Sequence, residues 1–123
     1  MTPKQFLQVA GIILIMLAMI GFLRPYLAGS LLYFDPAENW AHMFLGILAF
    51  LLAPMQIGEL KQWIVVFIGV LALFSGIGGY LMRNATPPNF YGLTNFENPA
   101  DNVLHVIVGV WALLAAFGGK GKK

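Results

Sequence analysis

The chain contains two histidines, His42 and His105, and each stands four residues after a carboxylate, Glu38 and Asp101 respectively. Four residues is a little over one helical turn, so on a helix each acid shares a face with its histidine. Two imidazoles and two carboxylates form a mixed nitrogen and oxygen set suited to zinc, iron or manganese, which makes Glu38, His42, Asp101 and His105 candidate ligands of a divalent metal. Two facing imidazoles alone can ligate haem iron, so His42 and His105 are also candidate ligands of haem b. A light-harvesting pigment is less favoured, because the residue four before each histidine is acidic rather than small. The competing explanation needs no cofactor: a histidine inside an apolar helix can hydrogen-bond to a neighbouring helix. Asn39 and Asn102, three residues before each histidine, can orient the rings or bridge helices.

The same spacing continues beyond the histidines, through Gly46, Ala49 and Ala53 in one segment and Gly109, Ala112 and Ala116 in the other. Each series reads as one stripe running from carboxylate to imidazole to small residues, a surface that another helix or a macrocycle could approach closely. Arg24 and Arg83 precede the two acidic segments, and Arg24 with Glu38 and Arg83 with Asp101 are expected to pair across helices.

Other chemistry is poorly represented. The chain has no cysteine, which removes disulfides, thiolate metal sites and thiol nucleophiles. Ser30 and Ser75 have no positional relation to either histidine, so a bond-breaking enzyme is not expected. Gly76-Ile77-Gly78-Gly79 follows an apolar stretch rather than a strand and lacks phosphate-binding spacing. Asn84-Ala85-Thr86 matches the glycosylation acceptor pattern, a short motif that recurs by chance.

The elements that position these residues are apolar. Hydrophobic residues make up 59% of the 123 and charged residues only 10%, against about 25% charged in ordinary globular chains. Apolar blocks run from about Phe6 to Leu23, Trp40 to Met55, Trp63 to Met82 and Val103 to Phe117. A spanning helix needs roughly 20 residues, so the fourth block crosses a bilayer only if its helix begins near Pro99. Helix is the expected form, because an open strand leaves backbone groups unpaired in lipid. The first block is read as a permanent helix rather than a cleaved leader, since Arg24 and Pro25 interrupt it and no small-residue cleavage site follows.

Lys4, Lys61, Lys120, Lys122 and Lys123 fall on one side of a four-pass chain and Arg24 and Arg83 on the other, which predicts cytoplasmic termini. The opposite face carries the two longer connections, whose aromatics Tyr26, Tyr33, Phe34, Phe90, Tyr91 and Phe96 suit the headgroup layer. A net charge of +2 gives no reason to expect nucleic acid.

The segment from Asp35 through His42 to Gly46 aligns with that from Asn98 through His105 to Gly109, and Gly21-Phe22-Leu23 aligns with Gly79-Tyr80-Leu81. These matches predict one all-α membrane domain over residues 1–123, a four-helix bundle of two tandem helical hairpins, about 5–55 and 62–117. A pseudo-two-fold axis would run along the membrane normal. Asp35 and Asn98 are expected helix caps, Pro36 and Pro99 first helical residues, and Glu38 and Asp101 capping-box acids.

The run Ala100-Asp101-Asn102-Val103-Leu104-His105 through Gly109, with its earlier counterpart Glu38-Asn39-Trp40-Ala41-His42 through Gly46, resembles the signature of a family of small four-helix prokaryotic membrane proteins catalogued as a domain of unknown function. The resemblance implies a four-helix domain in a prokaryotic cell or internal membrane and supplies no reaction. The leading functional expectation is a structural or accessory subunit, associated with the bilayer and with a larger membrane complex or further copies of itself. The alternative is a haem or metal carrier using His42 and His105 for electron transfer or sensing. A channel or transporter is less favoured, because beyond the polar mouth the helices offer few polar residues to line a path.

Overall fold

The structure is a computed structural model that describes residues 1–27, 32–86 and 99–118. It contains four helices, α1 (Pro3–Leu23), α2 (Pro36–Leu52), α3 (Leu60–Leu81) and α4 (Pro99–Phe117). A short antiparallel ribbon, β1 (Tyr26–Leu27) and β2 (Leu32–Tyr33), forms in the connection between α1 and α2. Lys120, Lys122 and Lys123, the aromatics Phe90, Tyr91 and Phe96, and the cap expected at Asn98 lie outside the described residues.

Local chemistry sets the helix ends. Thr2 and Gln5 form a capping box at α1, with the Gln5 amide donating to Thr2 Oγ1 at 3.3 Å and the Thr2 amide donating to Gln5 Oε1 at 2.9 Å. At α2 the Asp35 carboxylate accepts from the Ala37 amide at 2.8 Å, and Pro36 opens the helix, where its missing N–H leaves nothing unpaired. The C-terminal end of α2 is closed from outside, because Lys61 Nζ donates to the carbonyls of Ala53 at 2.9 Å and Met55 at 2.6 Å. Gly58, at φ 55°, supplies the left-handed residue that turns the chain toward α3.

Helices α1, α3 and α4 are long and apolar enough to cross a membrane. Helix α2 is shorter, at 17 residues. Helix α4 begins at Pro99, where a spanning fourth block has to begin.

The main interfaces join α1 to α2 and α3 to α4, both antiparallel, with lighter contacts from α1 to α3 and α4. Glycines bring the backbones together. A methyl group placed on Gly11 would lie 2.9 Å from the Gly46 carbonyl oxygen, and one on Gly46 would lie 2.9 Å from the Gly11 carbonyl oxygen. The second pair has the same device, where methyl groups on Gly69 and Gly109 would lie 3.1 and 2.9 Å from each other's carbonyl oxygens. Away from the ribbon, Phe6, Leu7, Ala10, Ala49, Ala53, Val65, Ala112, Ala115 and Ala116 close into a dry core. Phe6 meets the edge of Trp111 there at 4.7 Å between ring centroids. Met16, Met19, Phe44, Phe67, Phe74 and Leu114 point outward, an apolar exterior suited to lipid chains.

These contacts predict that Gly46→Ala loses about 1–3 kcal/mol, since a methyl forced against backbone has to push α1 away. Gly78 has nothing within 4 Å of an added methyl, so Gly78→Ala should be neutral or should stabilise by up to about 1 kcal/mol. Thermal unfolding of the two variants in detergent checks the contrast.

Candidate metal centre

Glu38, His42 and His105 converge from two helices at the ribbon end of the molecule. Glu38 Oε1 lies 3.8 Å from His42 Nε2 on its own helix and 3.7 Å from His105 Nε2 on α4. One ligand atom from each residue falls within 4.8 Å of the other two. The imidazoles face one another with centroids 6.0 Å apart and planes 26° from parallel. Helices α2 and α4 thus meet through these side chains, with the larger backbone interfaces lying inside each pair.

The site is sheltered and incompletely satisfied. Glu38 is only 8% exposed, and among the described residues its Oε1 has no hydrogen-bond partner, nor has the buried Nδ1 of His42. A buried carboxylate oxygen without a donor is costly, and a cation is the partner that relieves the cost most completely. The fourth candidate, Asp101, is not one of these three ligands but lies directly behind His105. Its carboxylate Oδ2 lies 3.2 Å and its carbonyl oxygen 3.0 Å from His105 Nδ1. Asp101 is also close enough to Glu38 to interact with it electrostatically.

Several sequence expectations change here. Glu38 is not turned back onto its helix cap as a capping box requires; its oxygen lies beside two imidazoles. Among the described residues no ion pair joins Arg24 to Glu38 or Arg83 to Asp101, and the acids take the histidines as partners. Arg24 is an exposed cap residue of α1. Arg83 donates to the Tyr80 carbonyl at 2.9 Å and lies over the Tyr80 ring, held by its own helix end. Asn39 is buried against α1, where a methyl on Gly21 would run into its carboxamide, and the Asn102 carbonyl oxygen lies against Gly76 of α3. The Oδ1 atoms of both asparagines are buried without a partner. The role of Lys61 as a cap for α2 was missed, because only the folded connection brings residue 61 back to residues 53 and 55.

The residues fit a metal ion better than haem. Glu38 Oε1 is nearly equidistant from the two Nε2 atoms, so it lies in the plane that bisects them. A porphyrin ligated by both histidines would occupy that plane. The glycines expected to make room for a macrocycle are already filled, Gly46 by Gly11 and Ile15, and Gly109 by Gly69 and Leu73. The same obstruction applies to a pigment ring. For a small ion the equidistant oxygen is instead a third ligand. Ligand atoms about 3.4 Å apart are what bond lengths of about 2.0–2.1 Å in a tetrahedral site imply. The two pairs involving Glu38 come within a few tenths of an ångström of that. No known protein family, curated protein or solved structure matches the chain.

If the cross-helix contact is energetic, Glu38→Gln and His105→Gln will be non-additive. A double-variant cycle on unfolding in detergent should return a coupling of about 0.5–1.5 kcal/mol, whereas Glu38→Gln paired with the distant Gly78→Ala should return none.

Proposed function

We propose that this chain is a four-pass integral membrane protein that binds one divalent transition-metal ion through Glu38, His42 and His105. The observation that carries this reading is the convergence of three ligand atoms from two helices around a buried carboxylate oxygen that lacks a hydrogen-bond donor among the described residues. Two nitrogens and one oxygen suit zinc, iron(II) or manganese, and three protein ligands leave room for water or a further ligand. Zinc is the convenient probe.

The two-hairpin arrangement is supported by the glycine contacts. Gly11 and Gly69 stand ten residues before the aligned Gly21 and Gly79, and their partners Gly46 and Gly109 are themselves aligned. With Lys4 and Lys61 at one end and Arg24 and Arg83 at the other, we place the termini in the cytoplasm and the metal ligands near the outer surface. The dry core beyond the ligands argues for holding or sensing an ion rather than conducting it. An accessory subunit of a larger complex rests on apolar exposure that lipid by itself accounts for, so the metal reading is the one we adopt.

The test is metal analysis with an ultraviolet-visible spectrum on protein purified gently from membranes, then reloaded with zinc after chelation. One ion per chain, lost in a His42→Ala, His105→Ala double variant that still folds, is the expected result. Failure of the folded wild type to hold zinc at low micromolar concentration would remove the proposal, and a haem spectrum dependent on both histidines would replace it.

A further inference from the structure

Resting on that reading, the structure assigns Asp101 as a positioning residue that makes His105 the anchoring ligand of the site. The argument begins with the Asp101 carbonyl oxygen, 3.0 Å from His105 Nδ1. A carbonyl can only accept, so the ring nitrogen facing it carries the proton and donates. The Asp101 carboxylate, 3.2 Å from the same nitrogen, accepts from the same side. In the neutral ring, with Nδ1 holding the proton, Nε2 keeps its lone pair, and Nε2 is the atom 3.7 Å from Glu38 Oε1. The ring is therefore held in the orientation, and when neutral in the tautomer, that a metal needs. Histidines that bind metals usually donate their second nitrogen to a carboxylate or carbonyl in this way, which also makes the ligating nitrogen more basic.

His42 lacks this support. Its Nδ1 is buried with no hydrogen-bond partner among the described residues. The two histidines, equivalent by sequence spacing, are unequal as ligands. His105 is preset by Asp101, whereas His42 would complete the site as the less constrained of the two imidazole ligands. Glu38, the counterpart of Asp101, lies beside the Nε2 atoms of both histidines rather than behind the Nδ1 of His42.

The experiment compares zinc affinity and the cobalt(II) absorption spectrum of the full-length wild type with those of Asp101→Ala and Asp101→Asn, all in detergent. Nitrogen NMR of selectively labelled histidine in the metal-free proteins reads the tautomers. Asp101→Ala is expected to weaken zinc binding by about ten- to a hundred-fold and to mix the His105 tautomers. Asp101→Asn keeps an acceptor but no charge and should fall between. Wild-type-like folding of both variants separates positioning from collapse. Zinc binding by the wild type with affinity and His105 tautomer unchanged in both variants would overturn the assignment while leaving the metal site intact. No zinc binding by the wild type would overturn both.

Discussion

The close approach of glycine backbones at Gly11 with Gly46 and at Gly69 with Gly109 is the constraint on which the rest of the molecule depends. Apolar helices in lipid gain little from hiding apolar surface against one another, so association rests on contact between surfaces that fit. Removing side chains at the crossing lets backbone meet backbone, and dispersion between many atoms replaces the missing hydrophobic drive. Each pair then behaves as a rigid unit. Because Gly46 commits one side of α2 to α1 and Gly109 commits one side of α4 to α3, the remaining sides, which carry the histidines, are presented to each other.

That division explains how much could be read from the sequence. The apolar blocks, the proline starts and the Asp35 cap follow from local physics, and the helices begin and end close to where those signals place them. The histidines and carboxylates were also visible, because ionisable residues are conspicuous in apolar segments. What the sequence did not reveal was direction. The spacing from Glu38 to Gly46 suggests one surface, yet eight residues at about 100° each leave Gly46 about 80° round the helix from Glu38. Glu38 therefore reaches α4 while Gly46 faces α1, and the pocket imagined beneath the histidines is filled with backbone.

The ion-pair expectations failed for a related reason. Helix ends on the same side of the bundle suggest Arg24 with Glu38 and Arg83 with Asp101, but arginine side chains at helix ends can find carbonyls and aromatic faces without leaving their own helix. Arg83 does both at Tyr80. The acids are left to the imidazoles, and the cluster owes its unbalanced character to the absence of a guanidinium.

The lightness of the contact between the two helix pairs, compared with the contact inside each, has a consequence of its own. Glu38 and His42 belong to one pair, His105 and Asp101 to the other, and strand β2 reaches across from the first pair to touch α4. The polar cluster straddles the seam where the molecule has least to hold it together. An ion bound there would act as a rivet, and by thermodynamic reciprocity any tension or slippage along that seam would alter how firmly the rivet is gripped.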